Sequence, residues 1–139
     1  MKCKADVVVI GGGVVGCSIA YNLARLGAGK VVLLEKGYLA SGATGRCGAG
    51  VRMQWGTETN CLLSRESVRM FSHLPEYLGV DVDIEFEQGG YLLLAYTKKM
   101  EDQFRKNLQL QKQLGIEASW VTPEEAKEIV PMLNTEGML

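Results

Sequence analysis

The chain has 139 residues, 47% apolar and 22% charged, with a formal net charge of −1 and a pI near 5.9. That charge leaves no electrostatic footprint for nucleic acid, and no apolar run reaches the ~20 residues of a membrane-spanning helix. The balance is that of a globular protein of one-domain size, expected in the cytoplasm.

The first apolar stretch, VVVIGGGVVGCS from Val7 to Ser18, admits two readings. Lys2 and Lys4 followed by an apolar run and Cys17 resemble a secretion signal with a lipid-attachment cysteine. Against this, Asp6 and four glycines interrupt the run. Ile19, Ala20, Leu23, Ala24 and Leu26 then continue at helical spacing until Gly27 and Gly29. A second strand-type run, KVVLLE from Lys30 to Glu35, follows. Strand, glycine turn, helix, glycine stop and strand make a βαβ unit, and that reading is favoured.

Within this unit Gly11, Gly13 and Gly16 form GxGxxG after a β-branched run, and the acidic Glu35 closes the next strand. Each position has a physical task in a dinucleotide fingerprint. Gly11 permits a tight turn, Gly13 lets a pyrophosphate approach the backbone, and Gly16 lets the helix lie close on the strand. The helix N-terminus offers amides to phosphate. Glu35 would accept hydrogen bonds from a ribose diol and repel a 2′-phosphate, which disfavours NADP. Read without a ligand, the same residues are an ordinary glycine-containing turn with a surface glutamate.

Residues 37–56, GYLASGATGRCGAGVRMQWG, lose all periodicity and form a long loop of the kind that carries function. A helix is expected from Thr57, capped by Thr57 or Thr59. Leu62, Leu63, Val68, Met70 and Phe71 would line its core face up to Leu74–Pro75. Residues 84–96 read as paired strands, IEFEQ and YLLLAY, joined or bulged at Gly89–Gly90. Thr97 to Leu114 is an amphipathic helix with Met100, Phe104 and Leu108 inward, closed by Gly115. A short strand at 118–121 leads to Thr122-Pro123-Glu124-Glu125, a capping box at the start of a helix that ends before Pro131.

The cysteines, Cys3, Cys17, Cys47 and Cys61, include no C-x-x-C pair, so reduced thiols are expected and no metal site is read. Cys47 is expected to be a small packing residue. His73, the single histidine, is expected at the surface or as a helix cap.

Taken together, VVVIGGGVVGCSIAYNLARLG, VVLLEKG, ASGATGRCGAGVRMQW, QGGYLLLAY and TPEEAKEIVP resemble the start of FAD-dependent amino-acid and amine oxidoreductases of the D-amino-acid oxidase type. The likeness is greatest to the group of sarcosine oxidase β-subunit, glycine oxidase and proline dehydrogenase β-subunit. It implies an α/β fold: a Rossmann-like (GR2-type) FAD-binding domain over residues 1–80, then the beginning of an α+β substrate domain over 81–139. No third βα unit is present, so the sheet is read as incomplete. The chain is then the N-terminal piece of a longer protein, or is completed by other strands, and little turnover is expected from it alone.

The resemblance also implies roles. Gly11, Gly13, Val14, Val15 and Gly16 would hold the FAD pyrophosphate, and Glu35, followed by Lys36, the adenosine ribose. Ser41, Gly42, Thr44, Gly45 and Arg46 would follow the pyrophosphate and ribityl chain, with Gly48, Ala49, Gly50 and Val51 passing the flavin ring. Arg52 resembles an arginine that faces the substrate carboxylate in related amine oxidases. Judged by its own surroundings it is equally a structural loop arginine. The family reaction passes hydride from a small amine or amino acid to flavin, giving an imine. No histidine stands beside the glycine-rich loop to match the covalent flavin links of some relatives. Two alternatives remain open: an NAD-binding domain, or a non-catalytic subunit that binds a dinucleotide or pairs with a second chain.

Overall fold

The computed structural model describes residues 4–139, so Cys3 lies outside the described residues. The chain forms two compact units, Met1–Gly50 and Val51–Leu139, divided inside the glycine-rich loop.

The first unit is built on two parallel strands, β1 (Val7–Ile10) and β2 (Val31–Leu34), joined by helix α1 (Val14–Arg25). Val7 pairs with Val31 and Ile10 with Leu34, so both strands end at the same edge and their following loops leave together. β-branched residues fill β1 and open β2 because their branched side chains suit a pleated surface. The left-handed Gly27, φ 74°, ends α1 by accepting a conformation that costs other residues steric energy. Asp6 then clamps the return: its main-chain amide donates to the Lys30 carbonyl and its carboxylate accepts from the Lys30 amide at 2.7 Å.

The second unit is helical. Helix α2 (Glu58–Ser72) is followed by the short α3 (Leu74–Leu78), then α4 (Lys98–Gln113) and α5 (Pro123–Ile129). Cys61, Ala95, Ile116, Ala126 and Gln111 are buried at its centre. As expected from the sequence, Gly115 closes α4 with φ 71°; at its start Thr97 caps the helix by accepting from the Met100 amide. The Thr122 capping box is complete: the hydroxyl accepts from the Glu125 amide, and the Glu125 carboxylate accepts from the Thr122 amide. No helix among the described residues is long and apolar enough to cross a membrane.

Several expectations are corrected, among them Met100 of α4, expected inward but exposed. Residues 84–96 form no strands, because Glu85 at φ 53° and Gly90 at φ 79° break the extended path and no ladder partner aligns. Side chains over 91–94 still alternate: Leu92 and Leu94 are half-buried, whereas Tyr91 and Leu93 are exposed. The segment therefore keeps alternate facing without hydrogen-bonded pairing. The strand at 118–121 is likewise absent; its residues lie along a cavity of about 90 Å³ against Phe104 and Leu108 of α4. Helix α2 stops at Ser72 rather than reaching Leu74–Pro75, and Thr57 stands at its N-cap without a side-chain bond. Leu63 and Met70 leave the anticipated core stripe and are exposed. His73 is the C-cap of α2, with ring Nδ1 3.0 Å from the Arg69 carbonyl oxygen.

Candidate functional site

The loop between β1 and α1 carries the fingerprint, and its glycines are used physically. Gly11 adopts φ +107°, a region that side chains with a Cβ rarely enter. A Cβ on Gly16 would collide with the Gly11 carbonyl oxygen, so the first turn of α1 sits on the loop itself. Gly13 has extended backbone angles, and the space its Cβ would occupy ends at the Thr44 hydroxyl, 3.0 Å away.

Three hydrogen bonds tie this loop to the segment after β2. The Gly12 amide donates to the Glu35 carboxylate at 2.7 Å, the Ala40 amide to the Gly12 carbonyl at 2.9 Å, and the Val14 amide to the Thr44 hydroxyl at 3.0 Å. Glu35 also accepts from the Gly37 amide at 2.8 Å. The Gly12 bond, followed by that from Gly37, holds the Glu35 carboxyl below its ordinary value, so it is an anion at neutral pH. A carboxylate can accept about four hydrogen bonds, so two such anchors leave lone pairs for ribose hydroxyls.

The amides of Gly13 and Val15 donate to no acceptor among the described residues, and Val15 is 69% exposed. Unpaired amides at a helix N-terminus, with glycine at the approach, suit a pyrophosphate. An anchored carboxylate at the end of the next strand suits a ribose diol. The residues present therefore fit the ADP half of a dinucleotide.

The remaining expected site residues are less gathered. Ser41 and Gly37 approach each other, a Gly37 Cβ position lying 3.2 Å from the Ser41 hydroxyl. Gly45 turns against the Ala40 carbonyl, to which its amide donates at 2.9 Å. Arg46 folds back so that its Nε donates to the Gly42 carbonyl at 3.1 Å, and the exposed Cys47 thiol donates to the Thr44 carbonyl. Lys36, Gly48, Ala49 and Gly50 are exposed, with Ala49 in a left-handed conformation at φ 53°. Val51 and Arg52 belong to the second unit, where the Arg52 guanidinium lies 4.3 Å from the centre of the Trp55 ring.

Sequence reasoning missed Gly12, whose amide makes the shortest bond in the loop; the unbroken Gly11-Gly12-Gly13 run was its signal. It also missed Ala40, strained at φ 62°, which shows no signal in a glycine-rich context.

A parallel βαβ unit with a glycine turn, open helix amides and an anchored acidic residue defines a dinucleotide-binding protein. Residues 6–139 match the family described as FAD dependent oxidoreductase (DAO), and the chain belongs to that family. The family's cofactor is FAD, which sets aside the nicotinamide alternative. Over 96% of its length the chain is 36% identical to the sarcosine oxidase subunit beta of Arthrobacter, covering 33% of that protein. It is 35% identical, over 97% of its length, to FAD-dependent oxidoreductase domain-containing protein 1 of Bos taurus, covering 29% of it. Among solved structures, L-proline dehydrogenase from P. horikoshii superposes with a TM-score of 0.86 at 39% identity, over all of this chain and 36% of that one. The chain thus spans about a third of the length of these relatives.

Proposed function

We propose that this chain binds FAD and serves in the oxidation of a small secondary amine or amino acid to an imine. The observation that carries the reading is Glu35, held ionised by the Gly12 and Gly37 amides at the edge where α1 presents its free amides. Glu35 orients the adenosine ribose, and the amides of Gly13 and Val15 take the pyrophosphate. Thr44 lies beside that position on the Val14 amide, available to donate its own hydroxyl proton to a phosphate oxygen. Ser41, Gly42, Gly45 and Arg46 follow the chain of the cofactor, and Gly48 to Val51 accommodate the ring. Arg52 holds the substrate carboxylate by a bidentate, charge-assisted contact. Bound FAD supplies the hydride acceptor, while the protein orients the amine and excludes water.

The substrate class follows from relatives that act on sarcosine, dimethylglycine and proline, as their names state. All three are small amino acids with a substituted nitrogen. The sarcosine oxidase relative is one subunit of several, so a partner subunit belongs to the same proposal.

The test is the visible spectrum of the purified protein, with the flavin extracted and identified. Expected is a yellow protein that releases FAD. For the apoprotein, calorimetric titration should show ADP binding and much weaker binding of its 2′-phosphorylated counterpart. A colourless protein with no affinity for either would sink the proposal.

A further inference from the structure

We propose that Gln111 is a positioning residue for Arg52, acting through the carbonyl of Trp55; this rests on the reading of Arg52 as the carboxylate anchor. Gln111 is 4% exposed on α4, one turn beyond Leu108 on the same apolar face. A glutamine at such a position pays a desolvation cost unless its amide is used. Its Nε2 donates to the Trp55 carbonyl at 2.9 Å, a bond between residues far apart in sequence.

Around that carbonyl the turn at 52–56 is closed on itself. The Trp55 indole N–H donates to the Arg52 carbonyl at 3.1 Å, and the Arg52 guanidinium stacks on the same indole at 4.3 Å. The Trp55 amide donates to the Met53 carbonyl at 3.0 Å. The buried Cys61 thiol gives the Trp55 carbonyl a second, weaker donor at 3.4 Å. At Gly56 the backbone lies so close to α4 that a Cβ would stand 3.0 Å from the Asn107 side-chain oxygen. Arginine, indole and turn are therefore one assembly, and Gln111 is the charge-neutral bolt that fixes it to α4.

Among the described residues no carboxylate pairs with Arg52. Its guanidinium is held by a ring face, which leaves its N–H edge to an external anion. Its direction is set by the indole, and the indole's by the Trp55 carbonyl. Loss of the Gln111 donor rotates that peptide, and the error is transmitted to the guanidinium without removing any charge.

The experiment measures acetate binding to the FAD-loaded protein from the perturbation of its visible spectrum, in Gln111→Leu, Gln111→Glu, Arg52→Ala and Gln111→Leu/Arg52→Ala. Expected is a weakening of acetate binding by roughly tenfold in each Gln111 variant. FAD affinity should stay within about twofold. In the Arg52→Ala background, Gln111→Leu should add nothing. A second readout needs no cofactor: with Trp120→Phe, Trp55 is the single indole, and its emission should shift when Gln111 is replaced.

If Arg52→Ala leaves acetate binding intact, the carboxylate role of Arg52 itself is wrong. If Arg52→Ala abolishes binding while both Gln111 variants bind as before, the positioning role is overturned and the anchor survives. Equal losses for acetate and FAD, or failure of both Gln111 variants to fold, would make Gln111 a scaffold residue and overturn the proposal.

Discussion

The Glu35 carboxylate closes on the Gly12 amide at 2.7 Å, joining the turn after β1 to the end of β2. Replacing Glu35 with alanine removes the partner of that amide and of the Gly37 amide together. FAD affinity should fall by about 10–100-fold, the loss expected for charge-assisted hydrogen bonds. Fluorescence titration of the apoprotein with FAD measures it, and unchanged affinity would refute the assignment.

The two fingerprint glycines Gly13 and Gly16 should separate stability from binding. Gly16→Ala forces a methyl group into the Gly11 carbonyl and should cost about 2–3 kcal/mol in urea unfolding. Gly13→Ala meets only the Thr44 hydroxyl in a backbone conformation alanine accepts. It should unfold within about 1 kcal/mol of wild type yet lose FAD affinity. Similar stability losses in both variants would contradict the geometry.

Thr122→Ala deletes one half of the capping box on α5. A loss of about 1 kcal/mol is expected, seen as a lower denaturant midpoint with an unchanged slope. Thr57→Ala, at an N-cap without a side-chain bond, should change the midpoint less.

Stability should fall on the acid side. The carboxyls of Glu35 and Glu101 are both depressed below 4.5, Glu35 by the Gly12 and Gly37 amides, Glu101 by Lys98 and Arg105. Their contributions are complete above 4.5 and are lost as pH falls through the lower folded values. Lys98, raised above 10.5 by Glu101, contributes below 10.5 and is lost as pH rises through its folded value. Urea midpoints across pH should decline at both ends, and Glu35→Gln should flatten part of the acid limb. An acid limb unchanged by that substitution would remove Glu35 from the account.

The first unit was legible because its signals are local. Strand run, glycine turn and helix period occur in chain order, and Glu35 follows at the spacing a βαβ crossover imposes. The helices α4 and α5 were legible for the same reason, through the apolar spacing of α4, Gly115 and the Thr122 box. What failed depends on partners. Residues 91–96 carry the apolar run of a strand, but a ladder requires a neighbour and a straight path, and neither can be read from one segment. Gln111 was hidden because its reason is a carbonyl on a distant turn. A polar residue on the Phe104–Leu108 face of α4 was its visible trace.

Each residue of β1 is paired with the one twenty-four positions later, through a single helical crossover. A one-residue insertion or deletion in α1 would either turn its apolar face by about 100° or slide β2 past β1 and invert its facing side chains. The crossover is thus a spacer of fixed length, and natural length variation should collect in the loop after β2.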